Sequence, residues 1–192
     1  MSQIILACDD NGKFLEYIPK EVGHTGKGRR HLAITVLLYN SKGQVLLQRR
    51  KHEIFDNIWD LTGATHPLHQ EKGDESLEEA VLRCLEVEYG IKDKIPLKNL
   101  GFFNYFAPYR TVQGEYCENE HCAILVGEYN GPISLNPSVG YEYKWIFKKA
   151  FLEDIKQKPD NYTAWAREAV KLLGKSISHV LRYGGFSRTE RR

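Results

Sequence analysis

The stretch DESLEEAVLRCLEVEYG, residues 74–90, limits the folds open to this chain more than any other segment. Its apolar side chains Leu77, Ala80, Val81, Cys84, Leu85 and Tyr89 recur at helical spacing and share one face of a helix. Asp74 is the expected N-cap. Glu75, Glu78 and Glu79 complement the positive end of the helix dipole, and Gly90 suits a left-handed stop. A helix with one oily face must be covered, and the segments on either side read as strands. QIILAC and KFLEYI flank the turn DDNG, HLAITVLLY and QVLLQRR flank NSKG, and NIWDLTGAT is a further short strand. PKEVGHTGKGRR is expected to be a Gly-rich basic loop. Downstream, LKNLGFFNYFA, NEHCAILVGEY and EYKWIF read as strands, and KAFLEDIKQ and TAWAREAVKLLG as helices. Strands, a helix, strands and then helices imply an α+β fold of mixed sheets packed with helices.

A length of 192 residues suits one domain over 1–192, and 42% hydrophobic residues suffice for its core. Residues 181–192 are basic and Gly-rich, and are expected to form a loose tail open to contact with an anionic ligand. A net charge of +2 with both signs interspersed gives no argument for a nucleic-acid partner. No stretch approaches the roughly 20 apolar residues needed to span a bilayer. Cys8, Cys84, Cys117 and Cys122 form no CxxC pair, so reduced thiols and a cytoplasmic location are expected.

Three groups of residues carry candidate chemistry, each with a plainer reading beside it. The glutamates of the helix are either a solvated face or a metal-binding set. In CENEHC, Glu118 and Glu120 point to one face of a strand, where they are either exposed or relieved by a cation. His24 and His31 bracket GHTGKGRRH, and His66 follows small residues in WDLTGATHP, where Pro67 favours an extended edge. Each histidine alone could be structural. Together with the carboxylate pair they suit a transition metal such as Zn²⁺ or Mn²⁺.

Glu75, Arg83, Glu88 and Gly90 resemble part of the Nudix box, Gly-x5-Glu-x7-Arg-Glu-aliphatic-x-Glu-Glu-x-Gly-aliphatic. Cys84 and Val87 replace two of its glutamates, and His69 stands at its first glycine. A diphosphate hydrolase needs several such carboxylates to hold Mg²⁺. With GHTGKGRRHLA, QRR, WDLTGATHP, FFNYFAPYR, CENEHC and YTAWAREA added, the chain from Ile4 to Leu173 resembles type 1 isopentenyl-diphosphate isomerase, a family of the Nudix superfamily. That family moves a double bond in a five-carbon isoprenoid diphosphate by protonation and deprotonation.

The resemblance implies a Nudix-like fold. It also implies a divalent ion (Zn²⁺, Mn²⁺ or Mg²⁺) on His24, His31, His66, Glu118 and Glu120, and Mg²⁺ carried by the diphosphate on Glu88. Lys20 and Arg50 match phosphate-binding positions. Glu120 and Tyr105 match the proton-delivering pair, and Trp165 an indole that shields the cationic centre, though it could equally anchor the last helix. The segment between Arg50 and Trp59 is short and lacks a phosphate-binding lysine of the family, for which Lys51 or His52 could substitute. The loop from His66 to Glu75 is long. Ala64 occupies the place of the catalytic cysteine. Two alternatives follow: a Nudix hydrolase of a small organic or nucleoside diphosphate, and a non-catalytic binder of prenyl diphosphate.

Overall fold

HLAITVLLY is an almost continuous apolar run, the pattern of a strand covered on both faces. In the computed structural model, which describes residues 2–180, it forms the central strand β3 (His31–Tyr39). Before it come β1 (Ile4–Cys8), β2 (Phe14–Pro19) and the short helix α1 (Lys20–His24). After it come β4 (Gln44–Arg50), β5 (Trp59–Asp60), β6 (Gly63–Thr65), β7 (His69–Gln70), β8 (Gly73–Asp74) and α2 (Leu77–Tyr89). The remaining elements are β9 (Leu97–Thr111), β10 (Gly114–Glu128), β11 (Gly140–Phe147), α3 (Lys148–Gln157), a 3₁₀ turn (Pro159–Asn161) and α4 (Ala164–Val180). Residues 181–192, the expected tail, lie outside the described residues.

β10 runs parallel to β3 from Glu120↔His31 to Glu128↔Tyr39 and antiparallel to β9. β6 takes the other edge of β3, with Thr35 opposite Ala64. Side-chain alternation along β3 splits the core in two. Ile34, Val36 and Leu38 pack with Ala80, Val81, Leu85 and Tyr89 of α2. Leu37 packs on the other side with Phe151 and Ile155 of α3 and Ala166, Ala169 and Leu173 of α4. The helices thus sandwich an α+β sheet, as the sequence implies.

Three local expectations differ from the structure. PKEVGHTGKGRR is not all loop, because its first residues form α1. NIWDLTGAT is two strands, since β5 pairs with β4 and β6 with β3. Thr62 sits at the switch, accepting from the Leu38 amide at 2.8 Å and donating to the Leu46 carbonyl at 2.8 Å. It fills the gap where β3 and β4 diverge after a single pairing, Tyr39↔Val45. The N-cap of α2 is Ser76 rather than Asp74. Ser76 and Glu79 bond each other's backbone amides in a capping box, while Asp74 belongs to the β7–β8 hairpin, which shows no strand signal in the sequence. Gly90 does end α2 in the left-handed region.

Candidate functional site

The five residues expected to hold a metal come from four separate elements and meet at one end of the β3–β10 ladder. His24 closes α1, His31 opens β3, Glu118 and Glu120 project from β10, and His66 follows β6. One ligand atom from each lies within 4.8 Å of all the others. All five are buried, which removes the exposed-strand reading of the two glutamates.

Backbone carbonyls set the imidazole orientations. His24 Nδ1 lies 2.7 Å from the Lys20 carbonyl and His31 Nδ1 lies 2.8 Å from the Arg29 carbonyl. A carbonyl can only accept, so both Nδ1 atoms donate and both Nε2 lone pairs face the cluster. His24 Nε2 is 3.1 Å from Glu118 Oε2, and His66 Nε2 is 3.0 Å from Glu120 Oε1. The Tyr105 hydroxyl donates to the other Glu120 oxygen at 2.5 Å. His24 Nε2, His31 Nε2 and Glu118 Oε2 are buried without a hydrogen-bond partner. Such atoms are costly to leave unpaired, and three of them converging on one point fit a divalent cation.

The electrostatics point the same way. Burial, with His31 and His24 alongside, pushes the His66 pKa well below its ordinary value, so its ring is neutral. Burial works against an ionised Glu120, but the His31 imidazole and the Tyr105 hydroxyl outweigh it and hold the carboxyl below its usual range. Burial opposes charge on His24, but the Glu118 carboxylate 3.1 Å away raises its pKa regardless, so a cation would bind there by displacing that proton. A neutral imidazole beside ionised carboxylates is the state that binds metal.

Arg83 holds the His66 loop in place. Its guanidinium bonds both Glu75 oxygens, at 2.7 and 2.8 Å, and the His66 carbonyl at 2.8 Å. Glu75 also accepts from the Leu68 amide. The helix glutamates divide accordingly. Glu78, Glu79 and Glu86 are a solvated face, Glu75 is a brace, and Glu88 reaches inward. Gly63 permits that approach, since a Cβ there would lie 2.9 Å from Cys84 Sγ and 3.1 Å from a Glu88 oxygen. Gln48 donates to Glu88 at 2.8 Å, and burial raises the Glu88 pKa to about 7.

A cavity of about 450 Å³ opens over the cluster. Its wall includes His24, His66, Glu118, Glu120, Glu88, Tyr105, Trp165, Ala64, Lys20 and Arg50. His31 sits behind this wall at 0% exposure. His52 also lines the cavity, whereas the Lys51 ammonium is turned to the Pro137 carbonyl. Trp165 packs with Tyr105, Cys122 and Ala33 and also lines the cavity. The Arg50 guanidinium lies 4.9 Å from the centre of its ring. Cys122 is buried in the same cluster, and burial lifts its pKa far above the ordinary thiol value. Asp60 escaped the sequence reading; one acidic residue after a tryptophan carries no spacing signal. It is buried beneath Arg50 and Trp165.

A model of the NUDIX domain family matches residues 29–171. The isopentenyl-diphosphate Delta-isomerase of Paenarthrobacter aurescens strain TC1 is 29% identical over 167 residues, covering 85% of this chain and 86% of that protein. The protein of the same name from Escherichia coli O139:H28 is 28% identical over 170 residues, covering 84% and 90%. Among solved structures, DR0079 from Deinococcus radiodurans superposes with a TM-score of 0.60 at 17% identity, over 81% of this chain and 90% of that one. A MutT protein from Methanosarcina mazei Go1 gives 0.53 at 21% identity, over 76% and 94%. These two share the fold. The chain belongs to the NUDIX domain family, and within it is similar to isopentenyl-diphosphate Delta-isomerases.

Proposed function

We propose that this protein binds an isoprenoid diphosphate and transfers protons to and from its alkene with the Glu120–Tyr105 pair. The observation that carries the reading is the junction of two unlike features on one cavity wall. The five-ligand cluster shares Glu120 with Tyr105, and Lys20 and Arg50 line the same cavity. The names of the similar proteins support the substrate class.

His24, His31, His66, Glu118 and Glu120 would hold a divalent ion (Zn²⁺, Mn²⁺ or Mg²⁺), which when bound neutralises and fixes the carboxylates. Glu88 would meet Mg²⁺ brought in by the diphosphate. Arg50 and Lys20 bind phosphate oxygens, the guanidinium with its planar fork and the ammonium as a point charge. Tyr105 and Glu120 hold the mobile proton at the shared hydroxyl–carboxylate contact and deliver it to the terminal alkene carbon. Trp165 and Tyr105 present ring faces to the tertiary cation that results, a contact worth about 0.5–2 kcal/mol. Ala64 has no proton to give or take. Removal of a proton from the methylene beside the cationic carbon therefore falls to the same Glu120–Tyr105 pair.

The hydrolase reading is weaker, since Glu75 is committed to Arg83 and only Glu88 remains among the helix carboxylates facing the cavity. The proposal places the protein in the cytoplasm; its four cysteines are free and buried. No described helix is long and apolar enough to cross a membrane.

Incubation with isopentenyl diphosphate, Mg²⁺ and D₂O tests the function, with Ala64→Cys run alongside. Deuterium in substrate or product with the wild-type chain is the expected result. Exchange by Ala64→Cys alone would reduce the wild type to a binder of prenyl diphosphate. Phosphate release from organic or nucleoside diphosphates would instead establish the hydrolase.

A further inference from the structure

The geometry points to Asp60 as a positioning residue that fixes Arg50 and Trp165 relative to each other, so that the anion-binding group and the indole wall act as one unit. This inference rests on the reading of the cavity as a diphosphate site.

Asp60 lies at the end of β5, and its side chain is 1% exposed. A buried carboxylate must have its lone pairs satisfied, and four donors converge on this one. Oδ1 accepts from the Leu61 amide at 2.7 Å and the Thr163 hydroxyl at 3.0 Å. Oδ2 accepts from Trp165 Nε1 at 2.9 Å and Arg50 Nη1 at 3.3 Å. The Leu61 and Thr163 bonds tie the carboxylate to its own strand and to the start of α4. Thr163 Oγ1 also accepts from the Ala166 amide at 3.3 Å, as an N-cap does, so the first turn of α4 is fixed to β5. Trp165 stands on that turn. One oxygen then serves two cavity-wall side chains that come from elements far apart in sequence, β4 and α4.

A second observation gives this arrangement a purpose beyond packing. Arg50 Nε is buried and has no hydrogen-bond partner. Its side chain is 14% exposed and lines the cavity. Asp60 engages one guanidinium nitrogen only, at a long contact, and leaves the remaining donors uncommitted. A guanidinium braced on one side and unsatisfied on the other is preorganised for an anion, and preorganisation raises affinity by removing the ordering cost at binding. The indole is braced by the same oxygen and lies beneath the guanidinium. The ligand class selected is therefore an organic diphosphate whose apolar part begins within a few ångströms of its phosphates.

The test uses the full chain and Asp60→Asn, which keeps the size of the side chain but removes its charge and leaves one acceptor oxygen in place of two, so that it cannot accept from both Trp165 and Thr163. Without ligand, the Trp165 indole cross-peak in an ¹⁵N–¹H spectrum, assigned with Trp165→Phe, is expected to move upfield and exchange faster with solvent in Asp60→Asn. An unmoved cross-peak overturns the inference whatever the ligand does. With Mg²⁺ and inorganic diphosphate as the probe, calorimetry is expected to give at least tenfold weaker binding in Asp60→Asn, at a temperature below both thermal midpoints, where both proteins remain folded. Affinity within twofold of wild type, or tighter binding, overturns it, because Asp60 would then be inert or a competitor for Arg50. If the wild-type chain binds no diphosphate, the diphosphate reading falls, and the ligand-free spectrum still decides whether Asp60 positions the indole. Should Asp60→Asn fail to fold, Thr163→Val removes one donor and keeps the charge. It is expected to move the same cross-peak and weaken diphosphate about threefold, and no change in either overturns the inference.

Discussion

The two sides of the cavity are built differently. The side formed by α1, β3 and β10 carries two imidazoles, His24 and His31, and both carboxylates, with backbone carbonyls orienting the two rings and a tyrosine on Glu120, and His66 reaches this cluster from the end of β6. The side formed by β5, β6 and the start of α4 carries Ala64, Trp165 and a buried Asp60 beneath them. The first is dense in groups that bind metal and move protons. The second shapes and shields, and offers no proton donor at Ala64. One strand register produces the contrast, because β3 has His31 paired with Glu120 on one edge and Thr35 paired with Ala64 on the other. The glutamates and Ala64 thus sit on opposite edges of a single strand, and His66, just after β6, joins the two sides.

Glu120→Gln gives the largest effect if proton transfer belongs to the first side. It keeps the shape and removes the base, so deuterium exchange into isopentenyl diphosphate is expected to fall by about 10²–10⁴-fold. Undiminished exchange would move the chemistry off that side.

Arg83→Ala asks how far the metal side depends on a brace from the helix behind it. The substitution removes the fork to Glu75 and the bond to the His66 carbonyl. Chemical denaturation is expected to show a loss of about 2–3 kcal/mol. Divalent-ion affinity is expected to drop about 10–100-fold, as it does when the groups that orient metal ligands are removed.

Glu88 sharpens the contrast through pH. Its folded value of about 7 lies above the ordinary 4.5, so the folded chain holds that proton more tightly than the unfolded chain does. The associated stability is complete below the ordinary value and is lost as pH rises through about 7, at most about 3 kcal/mol for a partly buried group. Metal-free protein is therefore expected to lose stability over that window, and Glu88→Gln to flatten the slope. Identical pH profiles for the two proteins would show that Glu88 titrates normally.

Much of this was legible in the residues. β3, β4 and α2 follow from apolar periodicity, and the same-face placement of Glu118 and Glu120 follows from strand alternation. Residue types alone made the three histidines and two glutamates candidate ligands, and the resemblance assigned them to one ion, since His24, His66 and Glu118 are brought together by tertiary structure that no local pattern encodes. What escaped has physical causes. Ser76 outcompetes Asp74 as N-cap because Glu79 completes a reciprocal box, which requires the residue three positions before it. The break in NIWDLTGAT depends on Thr62 filling a gap between two other strands. Asp60 depends on donors from β4 and α4, far from it in sequence.

The central claim is that the histidine–glutamate cluster is a metal centre, and metal stoichiometry tests it most directly. Purified protein, stripped with chelator and dialysed against Zn²⁺ or Mn²⁺, is expected to retain one ion per chain by elemental analysis. His66→Ala combined with Glu118→Gln is expected to retain none at the same free-metal concentration. A wild-type chain that takes up no ion, or a double variant that keeps the full complement, would contradict the account.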